Sequence, residues 1–97
     1  MAGKKYRREK DLENECCYIA FNDYGFLNLK QLSDKGVPDR LFFKNRKAFF
    51  VEFKDFGKHP TKLQQHFHRQ LESVGMNVYV VDNLESFEEV MDIEIQT

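Results

Sequence analysis

The sequence of 97 residues has no tryptophan, only two cysteines and no long apolar run. Without an apolar stretch of about 20 residues, or a charged start that leads into one, we expect neither a membrane span nor a signal peptide. Cys16 and Cys17 are neighbours and therefore poorly placed to link distant segments, and no Cys or His spacing indicates a zinc site. A reducing cytoplasm is the expected setting.

The aromatic residues are ten phenylalanines and four tyrosines, which predict an aromatic-rich core. A chain of this length buries about 60–65% of its unfolded surface, so dimerisation is a natural way to gain buried area. No internal repeat or low-complexity linker divides the chain. We therefore expect one domain over residues 1–97, with a basic arm at residues 1–8 and an acidic tail at residues 92–97.

Charge is unevenly distributed along the chain, although the formal net charge is −1. All 15 lysines and arginines lie at or before Arg69, and seven of the 16 acids follow it, so residues 1–69 hold 15 bases and 9 acids. A polyanion can bind one side of such a molecule. Alternatively, the acidic residues after Arg69 only keep the protein soluble, which would give the same distribution of charge. Within the arm, the candidates for phosphate contact are Lys4, Lys5, Arg7 and Arg8, and a solvated terminus is the alternative.

Hydrophobic periodicity, together with turn and capping residues, predicts helix, three strands, helix, strand, helix. The predicted ranges are a helix over 7–23, strands over 25–30, 39–43 and 48–54, a helix over 62–74 capped by Thr61, a strand over 77–81 and a helix over 84–91. The strand, helix and strand between 48 and 81 form a crossover between parallel strands. The expected fold is therefore α/β, a central mixed sheet flanked by helices.

Two helical faces are expected to point inward. On the first helix the face consists of Glu9, Leu12, Glu13, Cys16, Ile19 and Ala20. On the second it consists of Leu63, Phe67, Leu71 and Val74, flanked by Gln64, His68 and Arg69. Positions two apart on a helix diverge by about 200°. We therefore expect His59, His66 and His68 to be surface or boundary residues, not a metal site.

Three charged residues lie in otherwise apolar strands: Asp39, Glu52 and Lys54. Alternation places Glu52 and Lys54 on one face of their strand, opposite Phe49, Val51 and Phe53. A solvent-facing hairpin edge would explain this pattern. A crossover helix, however, tends to place the strand centrally, where a buried Glu and Lys are costly unless they are paired or bind a metal.

These residue types suit phosphodiester hydrolysis. Mg²⁺ prefers oxygen ligands and commonly takes one or two carboxylates, here Asp39 and Glu52, together with phosphate oxygens. Lys54 is able to orient the attacking water or to stabilise the transition state. The spacing by itself is moderately specific.

Three motifs in order resemble the VRR-NUC family of the PD-(D/E)xK nuclease superfamily. They are Gly36-Val37-Pro38-Asp39-Arg40-Leu41, then Val51-Glu52-Phe53-Lys54, then Gln64 with Leu71 and Gly75. The resemblance covers about residues 9–82. It implies a restriction-endonuclease-like αβββαβ core. It also implies that Asp39, Glu52 and the carbonyl of Phe53 hold Mg²⁺ or Mn²⁺, with Lys54 as the catalytic lysine.

The family also places an acid of the first helix near the metal. Glu9 fits better by its offset from Leu12 and Cys16, and Glu13 is the alternative. For either residue alone, a first-turn acid that complements the helix dipole is the simpler interpretation. Gln64 corresponds to a family glutamine near the site, with a surface amide as its alternative.

By this resemblance we expect a metal-dependent, structure-selective DNA endonuclease, a homodimeric Holliday-junction resolvase of a bacterial or phage-infected cell. Arg40, Lys58 and Lys62 join the basic arm as candidate DNA contacts. The alternatives are a non-catalytic DNA-binding module and a nuclease subunit of a replication or repair assembly that acts on flaps or other branched DNA.

Overall fold

The computed structural model describes residues 8–32 and 36–97. In chain order the elements are α1 (Glu9–Tyr24), β1 (Leu27–Lys30), β2 (Arg40–Lys44), β3 (Lys47–Phe53), α2 (Lys62–Ser73), β4 (Asn77–Val81) and α3 (Leu84–Gln96). The predicted order of helices and strands is confirmed. Lys4, Lys5 and Arg7 of the predicted basic arm lie outside the described residues.

The four strands form one mixed sheet in the order β1-β2-β3-β4. The first two pairings are antiparallel, and β3 pairs with β4 in parallel. Asn45 and Arg46 join β2 to β3 with positive φ angles of 49° and 71°, a two-residue turn whose twist matches that of the strands. The fold is α/β and compatible with a restriction-endonuclease-like core, and β3 lies inside the sheet, as the crossover helix predicted.

The core lies between one face of the sheet and the helices α1 and α3. Its buried side chains are Leu12, Cys16, Ala20, Phe26, Phe42, Phe49, Val51, Phe53, Val81, Phe87, Val90 and Met91. The ring centroid of Phe42 lies 5.5 Å from that of Phe49 and 5.7 Å from that of Phe87. These distances are typical of packed aromatic pairs. The predicted aromatic core is confirmed, and Cys16 and Cys17 are free thiols.

Helix α3 is longer than predicted, because it continues to Gln96 instead of ending at Met91. The acids after Met91 resemble a solvated tail in the sequence, but Glu94 is buried. Its carboxylate accepts hydrogen bonds from Tyr79 Oη at 2.6 Å and from Asn77 Nδ2 at 2.8 Å. Two donors from β4 therefore stabilise the last helical turn.

Helix α2 is rotated by part of a turn relative to the prediction, although Phe67 and Leu71 of the predicted stripe are partly buried. It begins with a capping box, in which Thr61 Oγ1 accepts from the Gln64 N–H and the Gln64 side chain accepts from the Thr61 N–H. Leu63 and Val74 of the predicted inward stripe are 46% and 75% exposed, whereas His68 is only 7% exposed. The helix thus presents its polar His68 side to the sheet, and the expectation that His68 is a surface or boundary residue was wrong.

Among the described helices, none is long and apolar enough to cross a membrane.

Gly36 lies where the segment before β2 meets α2, and its φ is +91°. A Cβ at this position would lie 2.7 Å from Phe67 Cδ2 and 2.9 Å from Leu63 Cγ. We expect Gly36→Ala to combine backbone strain of about 1–2 kcal/mol with a steric clash of about 1–3 kcal/mol. Urea unfolding measures this loss.

Gly57→Ala is the matched control, because Gly57 also has a positive φ, +81°, but nothing lies within 4 Å of its Cβ position. The control therefore reports the backbone strain alone. Equal losses for the two variants would show that the contact of Gly36 with α2 is unimportant.

Candidate active site

Asp39 lies directly before β2, beside the carboxyl end of β3. Its Oδ2 accepts a hydrogen bond from the Phe53 N–H at 2.7 Å. The antiparallel register, in which Arg40 faces Val51, brings the start of β2 to this end of β3. Pro38, which is fully buried, directly precedes it. The strand pairing therefore brings Asp39 alongside Glu52.

Glu52 is 2% exposed and lies on the sheet face opposite the aromatic core. Its Oε2 accepts a hydrogen bond from Gln64 Nε2 at 3.1 Å, and Lys54 Nζ lies 3.8 Å from the same oxygen. A solvent-facing hairpin edge does not describe this residue. The structure thus places Glu52, Lys54 and Gln64 in one buried polar cluster beside Asp39.

The two carboxyl groups repel each other's charge. Burial first, and then the charge of Asp39, raise the pKa of Glu52 to about 8, while Lys54 opposes the shift. Burial also raises the pKa of Asp39, against the lowering effect of the Phe53 N–H. The site therefore holds two negative charges only at a cost that a nearby cation would relieve.

Glu13 and Glu9 have different surroundings. Glu13 is buried, and its Oε2 accepts from Arg40 Nε at 2.5 Å and from Lys30 Nζ at 3.2 Å. Arg40 also donates to Asn28 Oδ1 at 2.8 Å. Glu13 is therefore the internal partner of two bases. Glu9 is exposed, and partial burial followed by the charge of Asp39 raises its pKa.

Asp55 is a site neighbour that sequence reasoning missed. Arg8, the N-cap residue of α1, makes no side-chain capping bond, and the Asp55 Oδ1 instead accepts from the Glu9 N–H at 2.7 Å. This contact holds the start of α1 against the loop that follows β3. It joins residues 46 positions apart, so no local sequence pattern predicts it.

His68 is the second missed residue. Its Nε2 lies 3.8 Å from Glu52 Oε1, and both atoms are buried without a hydrogen-bond partner. The useful sequence signal was its spacing from Gln64, because residues four apart share a helical face. If Gln64 is expected near the site, His68 is expected there as well.

A divalent cation fits the donor set of Asp39 and Glu52. Within residues 8–32 and 36–97, no three Asp, Glu, His or Cys side chains form a metal-binding group. Mg²⁺ requires only one or two carboxylates because it keeps several waters. The unpaired Glu52 Oε1 and the repulsion between the carboxyl groups would both be relieved by a cation.

The candidate DNA contacts differ in exposure. Arg8, Lys58 and Lys62 are exposed. The side chain of Arg40 is 17% exposed and is used in the Glu13 ion pair. Three of these four bases thus present their charge to solvent, whereas Arg40 neutralises an acid inside the fold.

The pKa of Glu52 predicts that the metal-free protein loses stability as pH rises. An unfolded glutamate ionises near pH 4.5, whereas folded Glu52 has a pKa of about 8. The folded state binds more protons between these values, so the free energy of unfolding falls as pH rises through them. Each unit of difference is worth about 1.4 kcal/mol.

Glu52→Gln removes this titration. In EDTA, we expect its stability relative to the wild type to increase from about pH 5 to about pH 9, measured by urea unfolding. Glu89→Gln, an exposed position of α3, controls for the loss of a charge. A pH-independent difference between Glu52→Gln and the wild type would contradict the raised pKa.

No protein-family model matches the chain. The chain is 38% identical over 76 residues to "Putative nuclease p44" of Acyrthosiphon pisum secondary endosymbiont phage 1. The match covers 77% of this chain and 78% of the phage protein. The chain therefore belongs to the same nuclease family as this phage protein.

Proposed function

We propose that the protein is a metal-dependent DNA endonuclease of the VRR-NUC type. Membership of a nuclease family supports hydrolysis of phosphodiester bonds. The observation that carries the finer proposal is the cluster of Asp39, Glu52 and Lys54 at the end of β3, formed from the residues that resemble the VRR-NUC motifs. No other function accounts as simply for two repelling carboxylates and a lysine in an otherwise apolar sheet.

Asp39, Glu52 and the carbonyl of Phe53 would hold Mg²⁺ or Mn²⁺. When bound, the cation supplies Lewis-acid neutralisation of the charge on the scissile phosphate. Gln64 fixes the Glu52 carboxylate through its hydrogen bond to Oε2. Lys54, whose side chain is 13% exposed, keeps an ammonium beside the carboxylates. It would orient the attacking water or stabilise the charge that develops on phosphate.

Glu9 is the better candidate for the helical acid of the site. The Glu13 carboxylate is occupied by Arg40 and Lys30, whereas Glu9 lies in the field of Asp39, Asp55 and Lys54. A small rotation of the exposed Glu9 side chain would bring its carboxylate towards a bound cation, directly or through water. We propose Glu9 for this role and a structural role for Glu13.

Lysines at the protein surface would contact DNA phosphates without reading sequence. Lys58 and Lys62 are exposed and flank the loop that leads from β3 to α2. Arg8 lies at the start of α1, which Asp55 holds near the same loop. We propose that the protein selects its substrate by the shape of branched DNA.

A homodimer is supported by the sheet face on the α2 side. The register aligns Leu29 with Leu41, Phe50 and Val78 across all four strands, and paired residues share a face. The charged residues of this face are Glu52, which is 2% exposed, and Lys54, whose side chain is 13% exposed. Leu27 and Leu29 are nevertheless 52% and 56% exposed.

A twofold interface brings each residue near its own copy, so an uncharged apolar surface suits it. Two copies related by a twofold axis also provide the paired cuts that a Holliday-junction resolvase requires. We therefore propose that this face joins two copies of the chain.

Lys54→Ala tests the catalytic assignment. We expect cleavage of a labelled four-way junction in Mg²⁺ to fall by at least about 100-fold, because the charge beside the carboxylates is lost, while junction binding measured by gel shift is retained. EDTA should abolish cutting by the wild type. Lys58→Ala, at an exposed lysine, is the control and should weaken binding instead.

Unchanged cutting by Lys54→Ala would refute its role. Binding without metal-dependent cutting of junction, flap or linear duplex would indicate a non-catalytic module.

Leu29→Glu tests the dimer surface. Sedimentation equilibrium should give the wild type twice the 11.6 kDa chain mass and give Leu29→Glu the single mass, because two like charges would meet near the axis. Ile93→Glu is the matched control, since Ile93 is 50% exposed but lies on α3. A dimer that survives Leu29→Glu and is lost in Ile93→Glu would move the interface to α3.

A further inference from the structure

The Glu52 carboxylate has different neighbours at its two oxygens. Oε2 has Gln64 Nε2 at 3.1 Å and Lys54 Nζ at 3.8 Å. Oε1 has no hydrogen-bond partner although it is buried. The donor that faces Oε1 is His68 Nε2 at 3.8 Å, and this nitrogen is also buried without a partner.

We propose that His68 is a positioning residue for Glu52, which it and Gln64 hold by its two oxygens in the orientation that binds a divalent cation. This inference rests on the proposed function, because it assigns Glu52 as a metal ligand. It adds a residue and a role that the sequence motifs do not contain.

The energetics favour closure of the gap between His68 and Glu52. A buried polar group left without a partner costs about 1–3 kcal/mol, and here two such groups face each other. A hydrogen bond requires about 2.7–3.2 Å between nitrogen and oxygen, so a shift of less than about 1 Å from the 3.8 Å separation satisfies both. The bond uses one lone pair of Oε1 and leaves the other for a cation.

The placement on α2 explains why both donors act together. Gln64 and His68 are four residues apart and share one helical face, and His68 is only 7% exposed. The capping box that begins α2 also fixes the Gln64 side chain, since its Oε1 accepts from the Thr61 N–H while its Nε2 donates to Glu52. One helix thus carries a two-point support for the carboxylate.

Direct metal ligation by His68 is the less suitable role. Mg²⁺ binds oxygen ligands and rarely accepts imidazole. Partners that orient a ligating carboxylate, by contrast, typically change metal affinity by about 10–100-fold when they are removed. The expected effect of losing His68 is therefore on metal affinity before any effect on chemistry.

The test compares His68→Leu, which removes the donor at similar size, with His68→Gln, whose amide N–H reaches about as far as His Nε2. His66→Leu is the control, because His66 is exposed on the same helix. Mn²⁺ binding to the full chain without DNA is measured by isothermal titration calorimetry, and circular dichroism checks that each variant is folded.

We expect His68→Leu to weaken Mn²⁺ binding by about 10–100-fold, and His68→Gln and His66→Leu to stay within about threefold of the wild type. Wild-type affinity in His68→Leu, or equal losses in His68→Leu and His68→Gln, would overturn the positioning role. Glu52→Gln tests the metal site separately from the positioning role of His68. If Mn²⁺ binds equally to the wild type and to Glu52→Gln, or to neither, the proposed metal site fails and the role of His68 fails with it.

Discussion

The arrangement depends on one electrostatic constraint: Asp39 and Glu52 bring two carboxyl groups together where little water reaches them. Burial raises the pKa of both carboxyl groups, and the charge of Asp39 raises that of Glu52 further. A fold keeps such a pair only if surrounding groups hold it in place. Here the Phe53 N–H holds Asp39 and the Gln64 amide holds Glu52. The pair is thus unfavourable for the free protein and favourable for a cation, which links the stability of the fold to its proposed chemistry.

Each element contributes to this constraint. The register of β2 and β3 places Asp39 beside Glu52, and the parallel pairing with β4 encloses β3 within the sheet. Helix α2 covers Glu52, and the glycine before β2 allows that helix to approach closely. Helix α1 is held near the site by Asp55, while its Glu13 is neutralised by Arg40 and Lys30. The aromatic core supports the opposite face of the sheet.

The sequence predicted the parts that follow from short-range rules. Alternation placed Glu52 opposite Phe49, Val51 and Phe53, and capping residues marked the start of α2. The rest depends on contacts between distant segments. The apolar stripe of α2 indicated the inward face only in part: Phe67 and Leu71 are partly buried, but Leu63 and Val74 are exposed. Gln64 and His68 lie against Glu52 instead. Glu94 looked like part of a tail because its partners, Tyr79 and Asn77, are on β4. The ion pair of Glu13 with Arg40 could not be predicted for the same reason, because the two residues are 27 positions apart.

The central claim is that Asp39 and Glu52 together hold a divalent cation. Anomalous diffraction from crystals of the wild type grown with Mn²⁺ tests it most directly. The account predicts a manganese peak in contact with carboxylate oxygens of both residues and the carbonyl of Phe53, with no such peak in crystals of Asp39→Asn. A manganese ion bound elsewhere, or a peak that persists unchanged in Asp39→Asn, would contradict it.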